Sequence, residues 1–128
     1  MPQQLPPDDP QIGNEDFLLR RVRGDQISLG ANGGYRVSSA VFKSKGGPLS
    51  FDLGSRKTAE AVRDQYGEKN FHVVSVSVGH IRAQGCRVVL EPEENNDAHV
   101  HVYGNGAAGC LSGGQASRTA DFSQVILV

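Results

Sequence analysis

Apolar and polar residues alternate along several short segments of the chain, which is the pattern of strands that bury one face of a sheet. The clearest examples are LSFDL at 49–53 and AHVHVYG at 98–104. FHVVSVSV at 71–78 places apolar residues on both faces and predicts a central strand. Shorter strands are predicted at 86–91 and in the terminal SQVILV, and the turn-forming GANGG predicts a hairpin whose second strand spans about 35–42.

Helical spacing is clear in one segment only. In RKTAEAVRDQY at 56–66, Ala59, Val62 and Tyr66 share one helical face, Ser55 precedes them as a cap and Gly67 follows as a stop. GHIRAQG favours one or two turns, and the glycine-rich stretch 104–122 has a weak helical pattern. Together the segments predict an α+β fold with a mainly antiparallel sheet of about five or six strands, one clear helix and one or two short ones.

The first 13 residues are rich in proline and poor in apolar residues, which predicts a flexible tail ahead of a single domain at 14–128. The chain shows neither a secretory signal pattern nor an apolar stretch of membrane length. Its two cysteines are too few for a disulfide framework, so free thiols in a reducing cytoplasm are expected.

The charge balance changes the list of expected partners. The formal net charge is −1, from 13 basic and 14 acidic residues. No overall field therefore draws the protein to nucleic acid or to an anionic membrane. No segment carries a pattern for a bound cofactor, and none is expected.

LSGGQ at 111–115 matches the signature of ATP-binding cassette ATPases. That signature acts together with a phosphate-binding G-x-x-x-x-G-K-[ST] loop, which this sequence lacks. The pentapeptide is therefore interpreted as a turn-forming connection before the last helix.

The strand AHVHVYG raises two chemical hypotheses. His99, His101 and Tyr103 share one strand face, and two imidazoles at i and i+2 are spaced to bind one metal ion. A third ligand would come from His80, Cys86 or Cys110. Alternatively, His99 acts as a general acid or base, or the face is simply solvated.

A further hypothesis is that the protein is an enzyme that acts on a nucleotide or another anionic substrate. Its candidate residues are Arg20, Arg36, Ser38, Ser39 and His99. Such a site requires Arg20, Arg36, Ser38 and His99 to converge on one concave pocket.

Two resemblances bear on function. FLLRRV, RVSSAVFK, LSFDL and the stretch from VSVSVG to HVHVYG resemble, over about residues 14–104, a family of small bacterial proteins of uncharacterised activity. The resemblance implies Arg36, Ser38, Ser39 and His99 as shared positions, whereas Val37, Asp97 and His101 depart from the family pattern. More distantly, the order of Arg20 or Arg21, Ser38 or Ser39 and Glu91 is similar to the layout of ADP-ribosyltransferases.

No coherent catalytic set emerges from these motifs. The sequence therefore favours a small cytoplasmic bacterial protein-binding module, non-catalytic and part of a multi-gene system. A sheet edge is the expected route to a protein partner, because an unpaired strand presents backbone groups that another chain can extend. The terminal strand VILV is either such an edge, the favoured interpretation, or an internal strand buried on both faces.

Overall fold

The computed structural model describes residues 5–30, 34–44, 46–65 and 71–127. It contains eight strands: β1 (Phe17–Arg23), β2 (Ile27–Leu29), β3 (Tyr35–Val37), β4 (Leu49–Leu53), β5 (Phe71–Ser77), β6 (Arg87–Leu90), β7 (His99–Tyr103) and β8 (Gln124–Leu127). Six of them form an antiparallel sheet in the order β6–β7–β4–β1–β5–β8, and β2 pairs with β3 as a separate hairpin. The predicted α+β fold with a mainly antiparallel sheet is confirmed.

Three α-helices connect the strands: α1 (Ala59–Asp64), α2 (Val78–Ala83) and α3 (Gly113–Phe122). Short 3-10 helices lie at Gly24–Gln26, Ser39–Phe42 and Ala107–Gly109. In the part of the chain that the structure describes, no helix has the length and apolar character needed to cross a membrane.

The described part of α1, Ala59–Asp64, is shorter than the helix predicted over 56–66. It begins at Ala59, because the hydroxyl oxygen of Thr58, and not Ser55, accepts a hydrogen bond from the Ala61 N–H at 3.1 Å. Its last described helical residue is Asp64, and Tyr66 and Gly67 lie outside the described residues. The longest described helix is instead α3, in the glycine-rich stretch where the pattern was weak.

Helix α3 starts within LSGGQ for a local reason. The Ser112 hydroxyl accepts a hydrogen bond from the Gln115 N–H, and the Gln115 side chain accepts one from the Ser112 N–H at 2.9 Å. This reciprocal capping box satisfies two backbone groups that a helix start would otherwise leave unpaired. The pentapeptide is thus the N-terminus of a helix, which agrees with its interpretation as a structural connection.

The main core lies on one face of the sheet, under α2, α3 and the 3-10 helix Ser39–Phe42. It includes the fully buried side chains Leu18, Phe42, Val74, Val76, Val78, Val88, Val100 and Val102. A smaller cluster of Leu19, Val62 and Val73 lies on the opposite face, beneath α1. Because α1 packs against β1, β5 and β8, the β4–β7–β6 half of that face is the part that carries polar side chains.

Strand β5 is internal, as expected, but lies one position from an edge, between β1 and β8. Strand β8 is the edge strand, as VILV predicted. Its register shifts so that Val73 faces Leu127 while Val74 faces Val125. The resulting bulge sends Val125 toward the main core and Leu127 toward the smaller cluster, and leaves Ile126 exposed.

The opposite edge of the sheet is covered by the chain itself. The Asp9 N–H donates to the Val88 carbonyl at 2.9 Å, and the Val88 N–H donates to the Asp8 carboxylate at 2.7 Å. Arg82 holds the same segment through Asp8 Oδ2, and Ile12 is buried in the main core. Contacts with Val88 and Arg82 thus place Asp8 and Asp9 beside β6. The flexibility of residues 1–13 stays a prediction.

Candidate functional site

A polar cleft opens on the half of the sheet that α1 leaves uncovered. Its floor follows the pairing of β4 with β7, in which Asp52 faces His99 and Ser50 faces His101. The cleft has a volume of about 410 Å³ and lies between α1 and the loop that joins β6 to β7. It is lined by Leu19, Arg20, Arg21, Ser50, Phe51, Asp52, Val62, Gln65, Glu93, Asn96 and His99.

Three polar residues of the cleft are buried, namely Asp52, Asn96 and His99. The Asn96 amide donates to Asp52 Oδ1 at 2.8 Å, and Lys57 Nζ lies 3.7 Å from Asp52 Oδ2. Buried polar side chains are stable only when they are paired, so these contacts hold the Asp52 carboxylate in place. The cleft floor is therefore a fixed polar surface.

A hydrogen bond to the backbone fixes the orientation of the His99 ring. Nδ1 lies 2.9 Å from the backbone carbonyl oxygen of Glu91. A carbonyl oxygen only accepts hydrogen bonds, so Nδ1 carries a hydrogen and donates it to Glu91. Nε2 lies 3.6 Å from the Glu93 carboxylate, too far for a hydrogen bond, and the described residues give it no other hydrogen-bond partner.

His101 and Tyr103 continue the same face beyond the cleft, as the strand alternation predicted. The Tyr103 hydroxyl donates to Glu91 Oε1, and His101 Nδ1 lies 3.5 Å from Glu91 Oε2. Burial, the hydrogen bond to Glu91 and the charge of that carboxylate raise the pKa of Tyr103 to about 12. Glu91 thus organises the far end of the face through two side chains.

The two histidines of the metal hypothesis are neighbours, with ring centroids 4.5 Å apart in an edge-to-face arrangement. Of the suggested third ligands, His80 stacks on Phe122, Cys86 is buried in the main core, and Cys110 lies beside Ser44. Among the described residues, no group of three His, Cys, Asp or Glu side chains is arranged to hold a metal ion. The His99–His101 pair therefore has no third ligand in the described structure.

Arg20 directs its side chain to the other face of the sheet. It shares the face of Leu18 and Val22, and its guanidinium donates to the backbone carbonyls of Val41 at 2.9 Å and Ser50 at 2.7 Å. Burial lowers its pKa to about 10. Arg20 therefore ties the 3-10 helix Ser39–Phe42 to the sheet, while Arg21, the next residue, lies on the face of the cleft.

The remaining candidates line a different groove. Arg36 and Ser38 lie with Tyr35 in a space of about 480 Å³ between the β2–β3 hairpin and the end of α3. Ser38 is the N-cap of the 3-10 helix Ser39–Phe42 and accepts a hydrogen bond from the Ala40 N–H at 3.2 Å. Ser39 is the first residue of that helix.

Arg20, Arg36, Ser38 and His99 thus do not converge on one pocket. The residues whose order is similar to that of ADP-ribosyltransferases are also separated in space. Arg21 lines the cleft, Ser38 lines the groove, and Glu91 lines neither. The cleft instead contains His99 and Arg21, together with Asp52 of β4 and Asn96 of the β6–β7 loop.

Sequence reasoning missed Asp52 and Asn96. The alternation of LSFDL placed Asp52 on the polar side of its strand, but only the pairing of β4 with β7 shows that this side becomes buried. Asn96 reaches Asp52 because the preceding residue, Asn95, adopts a left-handed conformation with φ of 65°. Asn is among the few residue types that tolerate this conformation.

Comparisons with known proteins found no match for this chain among family models, curated proteins or solved structures. The resemblance to a small bacterial family stays a prediction.

Proposed function

We propose that the protein is a protein-binding module that receives an extended segment of its partner along strand β8. The observation that carries the proposal is the difference between the two sheet edges. Asp8 and Asp9 cover β6, whereas no described residue pairs with the outer edge of β8. Edge strands are usually protected by charges, proline or covering segments. Strand β8, QVIL, has neither charge nor proline.

Exposed apolar side chains gather beside this edge. Leu29, Tyr35, Phe122 and Ile126 are each between 46% and 70% exposed. They lie on β2, β3, the end of α3 and β8, and β3 contacts both α3 and β8. A partner strand added to β8 would therefore find apolar surface close to the new backbone hydrogen bonds, which is how strand addition gains both affinity and specificity.

The groove between the β2–β3 hairpin and α3 adjoins β8 and supports the proposed binding surface. Ser123, which immediately precedes β8, lines it together with Asp25, Arg36, Ser38 and Asp121. Arg36 and Ser38 are positions that the resemblance to the small bacterial family implies. Their place beside β8 supports a role in selecting a partner by its charge, because complementary charges favour some approaching segments over others.

Within this proposal, the protein acts in the cytoplasm of a bacterium as one component of a multi-gene system. The enzyme hypothesis is the less favoured alternative, because its four named residues are divided between two separate cavities.

The test is selection from a library of random linear peptides, followed by NMR mapping of the selected peptides on the isotopically labelled protein. We expect selected peptides to shift the amide signals of β8 and to slow their hydrogen exchange. Ile126→Lys places a charge in the edge and should abolish this binding. Phe17→Lys is the matched control, since Phe17 is 53% exposed on β1, and it should bind as the wild type does.

Selected peptides that bind elsewhere, or that bind Ile126→Lys unchanged, would refute the edge-strand proposal. Self-association of the wild type that Ile126→Lys abolishes would instead assign the edge to a second copy of the chain, and would overturn the heterologous partner proposed here.

A further inference from the structure

We propose that residues 5–12, here called the N-terminal strap, are exchanged between two copies of this chain, so that the strap of each copy covers β6 of the other. The structure shows the strap on β6 of its own chain, at the edge of the sheet opposite to β8. The β6 surface is therefore separate from the partner surface proposed at β8. Either proposal can fail without the other.

The strap covers β6 without forming a regular strand. The Val88 carbonyl accepts a hydrogen bond from the Asp9 N–H, as in a strand ladder. The Val88 N–H, however, donates to the Asp8 side chain and not to a backbone carbonyl. The prolines at positions 6, 7 and 10 have no N–H to donate, so a ladder cannot continue through them. The attachment of the strap therefore depends on a few identifiable side chains.

Arg82, on α2, supplies the specific part of this attachment. Its Nε lies 2.9 Å from Asp8 Oδ2, and its second terminal nitrogen donates to the Asp9 carbonyl oxygen at 2.8 Å. The Arg82 side chain is 20% exposed, so water and salt screen this ion pair less than they would at an open surface. At the start of β6, the Arg87 guanidinium donates to the Pro6 carbonyl oxygen at 3.2 Å. The β6 edge thus presents two arginines to an extended acidic segment.

An apolar contact anchors the end of the strap, where Ile12 is 3% exposed and belongs to the main core. The strap also has hydrogen bonds of its own at this end. The Asp9 carboxylate accepts from the Gln11 N–H at 2.9 Å, and the Asp9 carbonyl accepts from the Ile12 N–H at 3.3 Å. The strap can therefore move as a preformed unit that carries Ile12 into the core of a second copy.

The hinge for the exchange lies at Gly13. Beyond Gly13 the chain is fixed to the start of α2. The Val78 N–H donates to the Asp16 carbonyl at 2.9 Å, and the next N–H, of Gly79, donates at 3.0 Å to the Asn14 carbonyl. The contacts of the strap, in contrast, are with β6, the end of α2 and the main core. A backbone rotation at Gly13 therefore redirects the strap and leaves β1 in place.

A second copy of the chain is the occupant, because the structure shows the fit between this edge and this strap. Exchange of an identical element keeps its contacts and changes only the hinge, which makes it a low-cost route to a dimer. The formal net charge of −1 sets up little repulsion between copies. A short tethered segment has an effective concentration of about millimolar, so dimers should become abundant at roughly millimolar protein.

The first test reverses one charge on each side of the contact. Asp8→Lys and Arg82→Glu each place like charges together within one chain, and each variant alone should be monomeric. In a one-to-one mixture, exchange brings opposite charges together at both edges. We expect the mixture to form a heterodimer that dissociates at a concentration about tenfold or more below that of the wild-type dimer, as measured by sedimentation velocity.

Three controls separate the strap from other effects. Glu60→Lys makes the same change of charge at an exposed position of α1, and its mixture with Arg82→Glu should stay monomeric where the first mixture is dimeric. Asp8→Lys and Arg82→Glu combined in one chain restore opposite charges within that chain, and should return self-association to the wild-type level. Ile126→Lys changes the β8 surface and should leave the wild-type dimer intact. Circular dichroism checks that each variant is folded.

A second test uses the wild-type protein and depends on no variant. Copies labelled with heavy carbon are unfolded together with copies labelled with heavy nitrogen and refolded at about millimolar concentration. Isotope-filtered NMR spectra then detect contacts between copies. We expect a contact from the Asp8 Cβ hydrogens of one copy to the Val88 N–H of the other, because the Asp8 carboxylate lies 2.7 Å from the Val88 nitrogen.

A mixture of folded charge-reversed chains that stays monomeric overturns the proposal. So does an absence of contacts from Asp8 to Val88 between wild-type copies. A dimer that Ile126→Lys abolishes overturns it as well, because that dimer would form through β8.

Discussion

The side-chain amide of Gln115 donates a hydrogen bond to the backbone carbonyl of Gln84, at 2.9 Å, across the interface between α3 and the end of α2. The oxygen of the same amide accepts from the backbone N–H groups of Asn105 and Ser112, each at 2.9 Å. Gln115 is 1% exposed. One buried side chain thus satisfies three backbone groups from three separate segments, and the Q of LSGGQ is a structural residue.

Gln115→Leu should destabilise the protein by about 2–3 kcal/mol, because a leucine fills similar space but leaves buried backbone groups without partners. Chemical denaturation followed by circular dichroism measures the change in the free energy of unfolding. Ser117→Ala, at an exposed position of the same helix, is the control and should change little. Equal effects of the two substitutions would contradict the role assigned to Gln115.

Gly104 is the residue at which β7 leads into this network. A Cβ added there would collide with the Leu111 Cα and would lie 2.7 Å from the Cys110 carbonyl oxygen, and both of these are backbone atoms. Gly104→Ala should therefore lower the free energy of unfolding by about 1–3 kcal/mol through overpacking. Gly113→Ala is the matched control in open space at the start of α3, where alanine should be neutral or mildly stabilising.

The two cysteines should differ in reactivity. Burial raises the pKa of Cys86 to about 11. The pKa of Cys110 is lowered, chiefly by a hydrogen bond from the Ser44 hydroxyl and also by the backbone N–H groups of Gly47 and Gly46. Because the thiolate is the reactive form, iodoacetamide at neutral pH should modify Cys110 well before Cys86.

Ser44→Ala tests the cause of that difference. The Ser44 hydroxyl has one hydrogen, which it gives either to the Gly47 carbonyl oxygen or to the Cys110 thiolate. Its removal should slow the labelling of Cys110 at neutral pH and have less effect at alkaline pH, where the thiol is ionised without help. Peptide mass spectrometry after timed quenching measures both rates. Unchanged labelling of Cys110 would show that its thiolate does not depend on Ser44.

The strands were predictable where the information was local. LSFDL matches β4 residue for residue, and the parity of AHVHVYG placed His99, His101 and Tyr103 on one face and Val100 and Val102 in the core. Both results follow from the two-residue period of a strand, which needs no knowledge of the rest of the fold.

The cleft and the longest described helix were not predictable in this way. Helix α3 begins with two glycines, which are poor helix formers, and depends on the Ser112–Gln115 cap and on the contact with Gln84. The cleft depends on the pairing of β4 with β7 and on a loop turn at Asn95. The separation of the Arg20 guanidinium from His99 likewise requires knowing which face of β1 the 3-10 helix Ser39–Phe42 covers. These are contacts between distant segments, and composition and periodicity do not encode which segments meet.

Tyr103 gives the expected dependence of stability on alkaline pH. Its pKa rises from 10.0 in the unfolded chain to about 12 in the folded protein, so the folded state keeps the phenolic hydrogen longer than the unfolded state does. The contribution of this group to stability is complete below pH 10 and is lost as the pH rises toward about 12. Between these values the wild type should lose stability more steeply than Tyr103→Phe, as measured by denaturant titration at each pH.

Glu91→Gln separates the causes of that shift. Burial is the largest cause and remains in the variant, whereas the carboxylate charge is removed and the hydrogen bond from the Tyr103 hydroxyl becomes weaker. The pKa of Tyr103, followed by the ultraviolet absorbance of the phenolate, should therefore fall but stay above 10. A pKa that does not move in Glu91→Gln would mean that Glu91 does not hold the Tyr103 hydroxyl in solution. Because Glu91 also lies beside His101, the same variant should change the His101 ring signals in NMR spectra while leaving the bond from His99 Nδ1 to the Glu91 backbone carbonyl intact.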